Sequence, residues 1–274
     1  NEKGLEVKTG HPIVVYRETV SKRSNKLEVR TPNSHNIFIF SIESLEDDIY
    51  NAVERGEIPQ ERLKKRAEQI WKKLAEYGMS NDEARQVKEI YKGNIFEDRT
   101  RGIVLLGEII DSIMDGWKLV VDAGPLAREP LMKTKLILHD AKIHVDHMHR
   151  GPAQVYPAVR KGAFESMQLA GASVLEPIQT HRIEAPISFM GTVTQLVGSK
   201  RGVLLNVEQE GGDTIITAKI PVAEMIGWSN DLRSATEGRG VSSLMDQEFQ
   251  RLPRELQGEV IRKIRERKGL SENQ

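Results

Sequence analysis

Between Leu175 and Phe249 the hydrophobic period changes repeatedly, and this succession restricts the fold more than any other feature of the chain. Period-two runs at Glu176–Glu184, Gly202–Gln209, Thr214–Pro221 and Gly240–Phe249 read as strands. Helical runs at Ile187–Gly198 and Val222–Ser234 separate them, and Gly211-Gly212 is a turn between the middle two strands. The order β-α-β-β-α-β is that of a ferredoxin-like, split βαβ unit. Such a unit hosts many functions, so the topology alone names none. A composition shift at Ala170-Gly171-Ala172-Ser173 marks a domain boundary ahead of it.

The preceding residues read as a second α+β domain. Glu6 to Val20, with the strand-like Pro12-Ile13-Val14-Val15-Tyr16, reads as the last strand of an earlier domain, and Lys22 to Lys26 as a connector. Strands are expected at Leu27–Arg30 and Asn36–Ile42, joined by the turn-rich Thr31-Pro32-Asn33-Ser34-His35. Pro59 suits a first helical position, Leu63, Ala67, Ile70, Trp71 and Leu74 recur at three and four, and Gly78 supplies a stop. Ser80 with Glu83 is a capping-box pair for a short helix carrying Ala84, Val87, Ile90 and Tyr91. Lys64, Lys65, Arg66, Lys72 and Lys73 read as solvated outer faces of these helices. A longer helix, Arg101 to Val121, turns Ile103, Leu106, Ile110, Ile113, Met114 and Trp117 to a core. A strand follows over Leu131–Val145, then a helix opening at Pro157 with Val159, Ala163, Phe164 and Met167 inward. Pro253 to Lys268 is a final amphipathic helix with a basic outer side.

The chemistry-bearing stretch is His139 to Gln154, which holds four of the seven histidines. Ala141, Ile143 and Val145 alternate with Lys142, His144 and Asp146, and the strand runs into Gly151-Pro152, so His149 and Arg150 are expected on a stiff, exposed tip. Three readings compete. His144, Asp146, His147 and His149 are metal-ligand types, which would make a metal-dependent hydrolase. Against it stand the missing His-Glu-x-x-His helix and the alternation that sends neighbouring strand positions to opposite faces. The second reading is a polar strand end with solvated histidines. The third is an RNA-contacting finger.

Composition excludes several classes. Forty basic and forty acidic residues cancel, so a nucleic-acid contact must come from local patches. With no cysteine there are no disulfides or thiolate metal sites. No apolar run approaches the roughly 20 residues of a membrane span, and the chain reads as cytoplasmic. Hydrophobic residues at 38% suffice for two cores. No Gly-x-x-x-x-Gly-Lys-Ser/Thr loop occurs, and the first residue is Asn1, so the chain reads as a cut through a larger protein.

His144-x-Asp146-x-x-His149-Arg150-Gly151, with Gln154 behind it, resembles the diphthamide loop of the archaeal and eukaryotic translation elongation factor 2 family. Tyr16-Arg17-Glu18-Thr19-Val20, Pro32-Asn33-x-His35-Asn36, Gly102 to Gly116, Leu175-Glu176-Pro177-Ile178 and Asp231-Leu232-Arg233-Ser234 extend the resemblance in the family's order. Gly151-Pro152-Ala153 departs from the three glycines of eukaryotic members and looks archaeal. The resemblance implies the end of domain III at residues 1–22, a domain IV with ribosomal-protein-S5-like βαβ architecture at 23–172, a ferredoxin-like domain V at 173–250 and a C-terminal helix, 251–274, returning to domain IV. It implies diphthamide on His149 and a tRNA- and mRNA-facing tip of Pro32, Asn33, His35, His144, Asp146, His147, Arg150, Gly151, Pro152 and Gln154. It also implies a monomer that partners with the ribosome, tRNA, mRNA and the diphthamide-synthesis enzymes. The fragment would hold no cofactor and would not be an enzyme; GTP and Mg would belong to the full-length protein. A stand-alone RNA-binding module remains the other alternative beside the hydrolase.

Overall fold

The computed structural model describes residues 13–63 and 67–271. Its α+β chain divides into two compact units, one built from residues 17–174 and 252–271, the other from 13–16 and 175–251.

The first unit is organised on a sheet of order β2-β3-β6-β5-β4, in which β2 is Leu27–Arg30, β3 Ile37–Ser44, β4 Val87–Tyr91, β5 Asn94–Asp98 and β6 Thr134–Lys142. Strands β5 and β6 are parallel and joined by α4 (Leu106–Asp122), a βαβ crossover, while the other pairings are antiparallel. One sheet face is apolar. Val29, Phe38, Phe40, Ile42, Phe96, Leu136 and Leu138 pack there against Ile113, Trp117 and Val121 of α4 and Val155, Val159 and Ala163 of α5 (Pro152–Leu169). Gly162 lets α5 settle onto the sheet, since a Cβ there would lie 2.7 Å from the Phe40 ring. A second core gathers Ile49 and Val53 of α1 (Asp47–Glu54), Ile70 and Leu74 of α2 (Glu68–Glu76), Ala84 of α3 (Asn81–Gln86), and Val87, Ile90 and Ile95.

Three expectations give way here. The helix expected from Pro59 starts at Glu68, because Glu61–Leu63 runs extended beside β4: Leu63 N–H donates to the Lys88 carbonyl at 2.8 Å and Ile90 N–H to that of Glu61 at 3.0 Å. This path brings Arg62 to the buried Glu89 (2.8 Å), which Lys118 also pairs (3.0 Å). A buried carboxylate without its cations is costly, and that cost overrides local helix propensity. Residues 64–66, part of the charged run, lie outside the described residues. Ser80 does cap its helix, accepting from Glu83 N–H at 3.2 Å, but Val87 to Tyr91 is strand. Lys92 and Gly93, both at positive φ (48° and 69°), form the two-residue turn of a β4–β5 hairpin. Finally, α5 opens at Pro152 and contains Pro157, instead of starting there. Gly151 precedes the first turn, where a proline's missing N–H costs nothing.

Of the stretch read as the last strand of an earlier domain, residues 17–20 belong to this unit. Strand β1 (Arg17–Thr19) carries the buried Glu18, whose carboxyl accepts N–H bonds from Leu126 (2.8 Å), Ala127 (2.8 Å) and Glu129 (3.1 Å). Burial raises its pKa despite those three donors. Residues 13–15 are not strand, and 1–12 lie outside the described residues. From the other end of the chain, helix α8 (Arg254–Arg267) buries Ile264 and reaches the same loop. Arg265 donates to the Leu126 carbonyl (3.0 Å) and Lys268 to those of Ala127 (3.1 Å) and Arg128 (2.6 Å). Leu252 N–H donates to the Val174 carbonyl at 3.0 Å, closing the point where the chain leaves and re-enters the unit.

Four strands of the second sheet run in the order β10-β7-β9-β8, with β7 Ser173–Pro186, β8 Val203–Glu210, β9 Asp213–Pro221 and β10 Val241–Arg251. All three pairings are antiparallel. Helices α6 (Met190–Ser199) and α7 (Trp228–Ala235) cover one face, where Ile183, Ile216, Ala218 and Ile220 pack against Val193, Val197, Trp228 and Leu232. This is the split βαβ arrangement read from the alternation.

Candidate functional site

Two loops of the first unit meet at one end of its sheet. The β2–β3 turn is shaped by Thr31, whose N–H donates to the Asn36 carbonyl at 3.0 Å, and by Ser34 in the left-handed region (φ 60°). The second loop, between β6 and α5, holds one helical turn at His147–His149, capped by Asp146, which accepts Met148 N–H at 3.0 Å. That bond first, and then the His149, His147 and His144 imidazoles, hold the Asp146 carboxyl below its ordinary pKa.

The loops are joined by side chains bonded to backbone. Asn33 Nδ2 (2.9 Å) and Asn36 Nδ2 (2.7 Å) both donate to the His149 carbonyl. Asn36 Oδ1 accepts His144 N–H at 2.9 Å, and Gln154 Oε1 accepts Asn33 N–H at 2.9 Å. Three imidazoles then gather: the His35 ring centre lies 4.2 Å from that of His149 and 4.9 Å from that of His144, and His144 meets His149 edge-on at 4.8 Å. Asp146 N–H donates to His144 Nδ1 at 3.1 Å, which makes that nitrogen an acceptor. The loop crest is open. Val145, Met148 and the His147 side chain are at least 74% exposed, while the His149 side chain is 39% exposed.

Arg150 departs from the expectation of an exposed cation. Its side chain is only 8% exposed, reaching Glu108 of α4 at 2.5 Å and the His144 carbonyl at 3.2 Å. A guanidinium next to an exposed carboxylate and a loop carbonyl anchors the loop to the helix beneath it. Pro152 is exposed at the first turn of α5, with Gly151 before it. Among the described residues no three His, Cys, Asp or Glu side chains are arranged to hold a metal ion, so the hydrolase reading gains no support. No described helix is long and apolar enough to cross a membrane.

Residues 57–171 match the family model for elongation factor G, domain IV, and 173–260 that for the elongation factor G C-terminus. Over 271 residues the chain is 46% identical to elongation factor 2 of Methanosphaera stadtmanae, covering 99% of this chain and 37% of that relative. It is also 46% identical to the elongation factors 2 of Thermococcus onnurineus and Pyrococcus furiosus, over 98% of the chain and 37% of each relative. The chain belongs to the elongation factor 2 family. It corresponds to the C-terminal part of that family's proteins and spans about a third of the length of these relatives.

Within this elongation factor 2 segment, the structure brings Asn33, His35, His144, Asp146, His149 and Gln154 into one cluster, with His147 on its crest. Two structural partners were not singled out from sequence. Asn36 was visible as a polar residue at the head of the apolar Ile37–Ile42 run, where a buried amide needs partners. Glu108 gave no signal, since an acidic residue in a helix's first turn is ordinary.

Proposed function

We propose that this chain is the domain IV–V part of a ribosomal translocation factor whose tip contacts tRNA and mRNA in the decoding centre. The observation that carries the reading is the fixation of His149: two amides hold its carbonyl, its ring packs at a tilt against His35, and its side chain stays partly open. A modifying enzyme needs an imidazole that is reachable and held at one angle. Diphthamide on His149 would lengthen the side chain and add a cationic group beyond the crest. Pro32, His35, Asp146 and His147 would then face RNA, read through shape, 2′-hydroxyls and phosphates, as a factor working on every codon requires. Arg150, Asn33 and Gln154 hold the tip in shape. The fragment binds and positions and carries no catalysis of its own. GTP and Mg belong to a domain outside this chain, the protein acts as a monomer in the cytoplasm, and the diphthamide-synthesis enzymes are its modifying partners.

The test is the accurate mass of the His149 peptide from protein purified from its native host, beside the same peptide from a bacterial expression host lacking the modification. Added mass on His149 in native protein alone is expected. An unmodified native His149 removes the reading of this residue.

A further inference from the structure

A second cluster in the first unit is built to present positive charge, and the tip does not use it. Between α4 and α5 lies a cavity of about 400 Å³, lined by Leu119, Tyr156 and Phe164 together with Arg128, Arg160 and Lys161. The guanidinium carbons of Arg128 and Arg160 lie 4.9 and 5.2 Å from the Phe164 ring centre. Neither arginine has a carboxylate partner within ion-pair distance among the described residues, and Lys161 meets only Glu165, at 4.0 Å on the surface. Burial first, then the neighbouring Arg160, pull the Arg128 pKa down against the opposing pull of Glu18.

The loop that carries Arg128 is held from both sides. Arg128 sits at φ 55°, in the left-handed region. A non-glycine residue stays there only when its surroundings over-determine it, and such positions cluster at functional sites. Here Glu18 takes the N–H groups of Leu126, Ala127 and Glu129, and Lys268 takes the carbonyls of Ala127 and Arg128. Bonds from two ends of the chain thus fix one loop, and that loop sets one guanidinium over one ring.

We propose that this cavity is an RNA-binding site, in which Arg128 and Arg160 take backbone phosphates and a nucleobase enters against Phe164 and Tyr156. Guanidinium forks match phosphate oxygens, and aromatic rings beside them match the base that follows each phosphate along the chain. An acidic peptide would satisfy the arginines but bring no planar group for the cavity's aromatic lining. With no net charge on the chain, such a local patch is where RNA affinity must arise. The site is separate from the tip and shares with it only the class of partner.

The test titrates the 274-residue chain into a fluorescein-labelled, 12-nucleotide, single-stranded RNA of mixed sequence, read by anisotropy over a range of KCl. Arg160→Gln is expected to weaken binding about tenfold. The double variant with Arg128→Gln should flatten the log–log salt slope by about 1.4, from two phosphates at roughly 0.7 each. Arg160 is exposed, so its variant should melt with the wild type. Phe164→Leu keeps an apolar side chain and should weaken RNA while leaving competition by inorganic phosphate unchanged. Wild-type affinity and slope in both arginine variants overturns the proposal, as does no binding at all. It also falls if inorganic phosphate displaces the RNA fully while Phe164→Leu binds normally, or if polyglutamate binds more tightly than RNA through the same arginines. His147→Ala, run in parallel, separates the two surfaces: loss in that variant alone rejects the cavity and spares the tip, and loss in the arginine variants alone does the reverse.

Discussion

Two loops of the first unit are held by distant side chains, but with different chemistry. The tip loop around His149 is tied by the neutral amides of Asn33, Asn36 and Gln154, and only its Arg150–Glu108 root is ionic. The 124–130 loop is tied by the buried Glu18 carboxyl on one side and the cations Arg265 and Lys268 on the other. Amide clamps carry no charge to desolvate and do not titrate. A buried carboxyl satisfying three N–H groups is a stronger constraint, and its loss is correspondingly worse.

The sharpest way to break this contrast is Glu18→Ala. Three backbone donors lose their acceptor, and we expect a loss of roughly 3–5 kcal/mol, read as a lowered urea midpoint. A loss under about 1 kcal/mol would mean that water replaces the carboxyl and the loop is not clamped.

Acid should act away from both clamps. His139, half-buried beside Ser41 (2.7 Å), has its pKa lowered to about 4 by burial first and then by Lys26, Arg99 and Arg23. His181 of the second unit is lowered by burial. A base with a depressed folded pKa contributes stability that is complete above its unfolded value, near 6.5, and is lost as pH falls toward its folded value. At His139 this loss is partly screened by solvent, and His139→Gln should flatten the stability–pH curve over that range. Asp146 is lowered from the ordinary carboxyl value, so the tip cap should survive this interval and give way only below it.

A smaller effect is expected from Asn36→Ala, about 2 kcal/mol, because the buried amide serves both His149 and His144. Its signature is local: faster hydrogen exchange at the His144 amide with the 124–130 amides unchanged. Equal acceleration in both loops would show that they are one cooperative unit. The smallest effect belongs to His147→Ala, within about 0.5 kcal/mol, since its side chain is 81% exposed. A larger drop in melting temperature would place His147 in the tip's framework.

Much of this was legible because it was periodic. The six elements from β7 to β10 follow from alternation alone, and α4 from its apolar stripe. The misread elements are those where a long-range partner decided. Glu61–Leu63 resembles a helix until Glu89 needs Arg62, and Val87–Tyr91 resembles one until the Lys92-Gly93 turn folds it onto β5. That second signal was present, a two-residue turn ending in glycine, but the capping box ahead of it drew the helix onward. At the tip, the residue types and the meeting of the two loops were readable. The inward turn of Arg150 was not, because Glu108 is 42 residues away and marked by nothing local.

The first unit is interrupted between Val174 and Leu252, and this sets an order of assembly during synthesis. Chains emerge from the ribosome at about 5–20 residues per second, so several seconds separate Val174 from the arrival of α8. Through that interval the 124–130 loop has Glu18 but neither Arg265 nor Lys268, and Glu129 lacks the Lys268 partner it later meets at 2.8 Å. The intervening residues, 175–251, hold four paired strands and a core of their own and can fold while the unit before them waits. The first unit is therefore completed only after residues 175–251 have been made, and Arg128 takes its final place when α8 docks.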